Sequence, residues 1–226
     1  MNEEKMKNKR GVRYIELVFD LAYLVIAFAL GLYLCGQKDK VVGVLPGIAA
    51  LVLVGGDAFH LIPRIACMIT GKEKAFQKSL GIGKLITSIT MTLFYLILWH
   101  IGLMLFMPEK TKLLTYGIYL LAVIRIFLCL LPQNKWLTAN PPVRWGIIRN
   151  IPFVLEGSMV IGLFFLYRNR IHGMEFMWMA LLLSFLFYLP VVLWAHKIKP
   201  LGMLMLPKTV MYLWVLRMLL SLPQAG

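Results

Sequence analysis

The sequence predicts an all-α polytopic membrane bundle, and three observations predict it. Hydrophobic residues make up 60% of the 226 positions against 15% charged, apolar runs of spanning length recur seven times, and most charges fall between those runs. A bilayer core about 30 Å thick asks for roughly 20 apolar residues from a helix rising about 1.5 Å per residue. The runs lie at 14–35, 41–67, 80–106, 113–131, 146–167, 174–194 and 201–222. Their connections are short, so residues 1–226 read as a single integral-membrane domain whose residues 1–13 form a basic cytoplasmic segment.

The first run follows Lys5, Lys7, Lys9, Arg10 and Arg13 and lacks a small-residue cleavage site, the pattern of an uncleaved signal anchor. It carries Glu16, Asp20 and Tyr23 at a spacing that puts them on one helical face. The second run does the same with Asp57, His60 and Arg64, around Pro63. The third offers Thr87, Ser88, Thr90 and Thr92 but no acid; the fourth offers Arg125. Arg149, Asn150, Glu156 and Ser158 belong to the fifth, Pro190 to the sixth, and Lys208 and Thr209 to the seventh. Pro63, Pro152, Pro190 and Pro207 each lie within a run, where a proline leaves the carbonyl four residues earlier without its helical donor.

A formal net charge of +14 would suggest nucleic acid in a soluble chain, yet here the cations mark topology and no nucleic-acid partner is expected. One set of loops and helix ends carries fifteen Lys and Arg, the other only six: Lys38, Lys40, Lys110, Lys112, Arg168 and Arg170. The excess stays cytoplasmic, which puts the N-terminus inside, the C-terminus outside, and the chain in the cell membrane as a multi-pass protein. Asp57 then lies roughly 24 Å along its helix from the outer end. Asp20, His60, Arg64, Arg149, Glu156 and Lys208 also converge on the inner half. An ionisable group at bilayer depth costs at least about 2.5 to 3.5 kcal/mol on insertion scales, so this convergence is the strongest functional signal in the chain. Cys35, Cys67 and Cys129 stand apart with neither disulfide nor zinc spacing, so no metal and no cofactor are expected.

The segment Gly55-Gly56-Asp57-Ala58-Phe59-His60-Leu61-Ile62-Pro63-Arg64 resembles the Gly-Asp-x-x-Leu-(Leu)-Pro signature of the YhhN-type lysoplasmalogenases, small multi-span enzymes that hydrolyse the vinyl-ether bond of lysoplasmalogens. Gly83 and Ser88 keep a spacing similar to that family's next helix, and residues 212–221 resemble its last one. The family has eight spans and a second intramembrane Asp late in the chain; this sequence has seven runs, Ile89 where the family has His, and no Asp after Asp57. The resemblance implies a metal-free lipid hydrolase acting on a membrane lysolipid, with Glu156 or the Glu16/Asp20 pair in place of the second Asp.

Such chemistry needs one carboxyl to protonate the alkene carbon and another to activate water. Asp57, beside His60 and Arg64, is the candidate base; Glu156, in an apolar stretch, is the candidate acid. Arg64, Arg149 and Lys208 are candidates for holding a lysolipid phosphate, with Asp20 and Ser88 nearby. The alternative is a non-enzymatic transporter or a lipid-binding or small-molecule-binding protein, with buried pairs such as Asp20 with Arg125 or Glu156 with Lys208, and with Arg125 otherwise free to snorkel. Lys208 invites comparison with retinal proteins, but the third run carries no counterion. A zinc hydrolase of the haemolysin and adiponectin-receptor kind needs several facing His, and here only His60 is well placed. A homodimer remains open.

Residues 135–149 carry Trp136, Pro141, Pro142, Arg144 and Trp145, the composition of a segment lying among headgroups and guarding lateral access. Replacing both Trp residues with Ala is expected to raise the apparent KM for a lipid substrate; unchanged steady-state kinetics would remove the loop from the mechanism.

Overall fold

Proline and glycine punctuate the described residues into seven long helices. The computed structural model describes the backbone of residues 2–223 and the side chains of that stretch other than 2–10, 12, 73 and 199. Most of the basic segment at 1–13, and Lys199, therefore lie outside the described side chains. The helices are α1 (Asn2–Gly36), α2 (Leu45–Thr70), α3 (Glu73–Phe106), α4 (Lys112–Leu130), α5 (Val143–Leu166), α6 (Met177–Trp194) and α7 (Met205–Leu220), with 3-10 turns at Pro132–Asn134 and Lys199–Leu204. Each of the seven contains, or in the case of α7 extends with its preceding turn into, a stretch long and apolar enough to cross a membrane. Among the described residues there is no strand.

Local chemistry sets the ends. Gly71, at a φ of 69°, closes α2 by donating its N–H to the Cys67 carbonyl at 2.9 Å, a left-handed cap that suits a residue without a β-carbon. Pro108 follows the last turn of α3, Pro132 that of α4, and the Pro141-Pro142 pair precedes α5. Residue 41, expected inside the second span, is instead in the turn before α2, where its N–H donates to the Pro223 carbonyl at 3.2 Å. Helix α1 begins at Asn2 rather than at 14, and α3 begins at Glu73 rather than at 80 and so carries Lys84 about three turns inside the helix. Pro63, Pro152 and Pro190 do lie inside helices. Pro207 does not interrupt α7: it sits in the first turn, where a missing N–H leaves no intrahelical bond unmade.

Consecutive helices pack on one another, α7 returns against α1 and α2, and α3 also touches α5. Their shared core is aromatic, with Tyr95 edge-on to Phe94 and to Phe153 at centroid distances of 5.6 and 5.2 Å. Buried Lys40 ties the α1–α2 turn to the end of α7, donating from Nζ to the Leu220 and Leu222 carbonyls at 2.6 and 3.0 Å. The Leu220 carbonyl is the last of α7 and lacks a helical donor, so the cation both satisfies it and opposes the helix dipole, while the Leu222 carbonyl lies just beyond the helix end.

The α2–α3 seam is the tightest. Pro63 releases the carbonyl of Phe59, and that carbonyl lies against Gly83, where a β-carbon would overlap it. One turn further along α3, Thr87 Oγ1 donates to the Gly56 carbonyl at 2.8 Å, and a β-carbon on Gly56 would meet the Thr90 side chain. Gly83→Ala is therefore expected to push α2 from α3 and destabilise the protein by about 1–3 kcal/mol. Gly55→Ala, which meets nothing within 4 Å, should leave stability unchanged or slightly raised. Thermal unfolding of both variants in detergent checks the contrast.

Candidate functional site

The face predicted on the first span meets the face predicted on the second. Tyr23 Oη donates to Asp57 Oδ2 at 2.6 Å, and Arg64 pairs with Glu16 through a salt bridge, two contacts in one antiparallel register of α1 against α2. Between them sits Asp20, 3% exposed, with Oδ2 lacking a hydrogen-bond partner among the described residues. The carboxyls of Asp20 and Asp57 are close enough to influence each other's charge. Arg64, expected as the cation beside Asp57, is thus engaged by Glu16, and the cation acting on Asp57 is Lys208 from α7.

Asp20, Asp57, His60, Arg64, Thr87 and Lys208 line a small cavity of about 40 Å³, room for a water molecule or two. Next to it is a larger one of about 310 Å³, lined by His60, Lys84, Ser88, Arg125, Trp136, Arg149, Tyr188 and Lys208 among others. His60, Thr87, Met205 and Lys208 belong to both walls. The two cavities draw on the end of the bundle formed by the α2–α3, α4–α5 and α6–α7 connections. The chain reverses at each helix end, so ionisable residues late in α2 and α4 and early in α3, α5 and α7 come level.

The larger cavity is basic. Lys84, Arg125, Arg149 and Lys208 line it with His60, and among the described residues no carboxylate does. Their charges act on one another: Lys84 on Arg149 and on His60, Lys208 on His60 and on Arg125. Aromatic faces steady three of them. The Arg125 guanidinium lies 3.2 Å from the Phe153 centroid, Arg149 lies 4.1 Å from Trp136, and Lys208 Nζ sits 4.7 and 5.2 Å from the rings of Tyr188 and Tyr212. Hydrogen bonds brace the same wall. Arg149 donates to Asn134 Oδ1 at 2.8 Å, and the Asn134 amide in turn donates to three carbonyls at the end of α4. Tyr188 donates to Asn150 Oδ1 at 2.9 Å.

The segment expected as a loop at 135–149 is loop only to Pro142, because α5 begins at Val143, and the connection 135–142 closes this end. Trp136 Nε1 donates to the Cys129 carbonyl, the Trp136 carbonyl rests on Gly81 of α3, and Gln77 donates to the Leu137 carbonyl at 2.9 Å. Ser88 lines the cavity with its hydroxyl spent on the Lys84 carbonyl at 2.8 Å, a bond within its own helix.

Glu156 is elsewhere. It is 0% exposed, lines neither cavity, and both its oxygens lack hydrogen-bond partners among the described residues. The cation acting on it is Arg125, which is 2% exposed rather than snorkelling and whose Nε and Nη1 are also without partners. The buried neighbours are thus Asp57 with Lys208 and Glu156 with Arg125, not Asp20 with Arg125 and Glu156 with Lys208. Sequence reasoning missed Lys84 and Arg125 as cavity cations. Lys84 stands three and four residues before Thr87 and Ser88, on the polar face already assigned to the third span, a spacing that could have found it.

Among the described residues no three His, Cys, Asp or Glu side chains cluster as metal ligands. No family model, no curated protein and no solved structure matches the chain.

Arg125→Met is expected to destabilise the protein by about 3–5 kcal/mol, since it strands Glu156 in the core. Adding Glu156→Gln should recover a large part of that loss. A double-mutant cycle on unfolding in detergent measures it, and strictly additive losses would mean the two groups do not interact.

Proposed function

We propose that the chain is a multi-pass protein of the cell membrane, N-terminus cytoplasmic, that hydrolyses the vinyl-ether bond of a lysoplasmalogen-like lipid by carboxylate acid/base chemistry. The observation that carries this reading is the adjacency of a two-aspartate pocket to a basic cavity of headgroup size, with His60, Thr87, Met205 and Lys208 in the wall between them. The resemblance around Gly55 to Arg64 supplies the reaction, and the cation excess on one set of loops supplies the orientation.

In this reading Asp20, not Glu156, is the second carboxyl, because it shares the small pocket with Asp57. Protonated Asp20 gives its proton to the alkene carbon that bears R′ in the R–O–CH=CH–R′ group, leaving an oxocarbenium ion at the carbon attached to oxygen. Asp57, oriented by Tyr23, takes a proton from water as the water oxygen bonds to the cationic carbon. The resulting hemiacetal collapses: its hydroxyl proton returns to Asp20, the proton on Asp57 passes to the leaving alcohol oxygen, and the aldehyde departs. Both carboxyls end as they began. Lys208 balances the charge of Asp57, and Arg149 and Lys84 hold the lipid phosphate in the neighbouring cavity.

A second reading, an anion carrier or lipid-binding protein, is favoured by the larger cavity itself, where cations outnumber carboxylates completely among the described residues. Purified protein incubated with a 1-alkenyl lysolipid separates the two. The enzyme is expected to release fatty aldehyde, with Asp57→Asn and Asp20→Asn each slowing release by about 10²-fold or more and Glu156→Gln keeping most of it. Lipid binding with no aldehyde from the wild type would favour the carrier.

A further inference from the structure

We infer that the basic cavity is a site for a terminal phosphate, the dianionic phosphomonoester of a single-chain lipid, and that it selects against zwitterionic headgroups. The inference rests on the reading that this cavity receives a phosphorylated amphiphile, and it names the class.

Three features of the wall point to a dianion. Lys84, Arg125, Arg149 and Lys208 come from four different helices to one cavity of about 310 Å³, with their charges acting on one another and no carboxylate among the described lining residues. Asp57 balances Lys208 and Glu156 acts on Arg125, which leaves Lys84 and Arg149 without a carboxylate among the described residues; two such cations beside one cavity are unfavourable until an anion enters, and an anion of two charges relieves more of this than a monoanionic diester. Arg125 is almost completely buried, lines the cavity, and has Nε and Nη1 without partners among the described residues, so donors remain for a ligand oxygen.

The third feature is what the cavity withholds. A choline or ethanolamine group needs a carboxylate or a free aromatic face to receive its ammonium. The rings that could form such a cage, Trp136 and Tyr188, already carry Arg149 and Lys208 over their faces. An incoming ammonium would meet cations instead.

A phosphate dianion can arrive on a lipid or free in solution, and titration distinguishes them. Full-length protein in maltoside micelles is titrated with an acyl-glycerol phosphate, its phosphocholine ester with the same chain, and inorganic phosphate. Tryptophan fluorescence is followed, and Trp136→Phe identifies the signal. The monoester is expected to bind about tenfold or more tightly than the choline ester and more weakly as salt rises. Lys84→Gln and Arg149→Gln are each expected to weaken it by about tenfold. Lys84 is exposed, so its substitution leaves no buried group unpaired; size exclusion and helicity confirm that both variants fold.

Inorganic phosphate binding as tightly as the lipid monoester would keep the dianion site and overturn the lipid as its ligand. Equal affinity for monoester and choline ester, or unchanged binding in both folded variants, would overturn the inference. Selective monoester binding without aldehyde release removes only the hydrolytic reading. Aldehyde release from a choline lysolipid that binds as well as the monoester removes only this one.

Discussion

Lys208 is the contact on which the polar interior depends. It is buried on α7, belongs to the walls of both cavities, and acts on Asp57 on one side and Arg125 on the other. Taking an ammonium out of water costs several kcal/mol unless nearby charge and polarisable groups compensate, and here the carboxyl of Asp57 and the rings of Tyr188 and Tyr212 do so. The position of α7 against α1, α2 and α6 is thereby tied to the state of the aspartate pocket. A ligand anion in the larger cavity would compete with Asp57 for the same cation, coupling occupancy of one cavity to the electrostatics of the other.

That arrangement requires α2 and α3 to be close. Pro63 frees a carbonyl, Gly83 lets α3 approach it, and Gly56 offers its own carbonyl to Thr87. In lipid there is no water to satisfy such groups, so small residues and short hydroxyl donors do the work that a hydrophobic core does in water. The same closeness brings His60 and Lys84 to one wall. The segment that carries the resemblance in the sequence is also the segment that packs most tightly, and Gly56 and Gly83 have a packing reason to be glycine whatever reaction the protein performs.

Much of the candidate site was legible in the residues. Helical spacing alone put Glu16, Asp20 and Tyr23 on one face and Asp57, His60 and Arg64 on another, and those two faces do meet. Which member meets which was not legible, because spacing within a helix says nothing of the register or rotation between helices. Arg64 went to Glu16, Lys208 to Asp57 and Arg125 to Glu156. Lys84 falls four residues into the third apolar run and counted only among the cations that mark topology, whereas α3 starts at Glu73 and carries it about three turns into the helix, on the cavity wall.

Composition and run length by themselves determined that this is a bundle of seven apolar helices, since burying a backbone in hydrocarbon leaves few options besides a helix. They determined equally that its ionisable groups gather in one half, because each reversal of the chain inverts depth and the charges sit at alternating ends of successive spans. Only the tertiary structure decided that two aspartates share a pocket while Glu156 stands apart, and that four cations surround one cavity. The physical reason is that Coulombic and hydrogen-bond partners here lie on different helices, and the rotation of each helix is set by side-chain packing across the seams, a long-range quantity that no local pattern encodes.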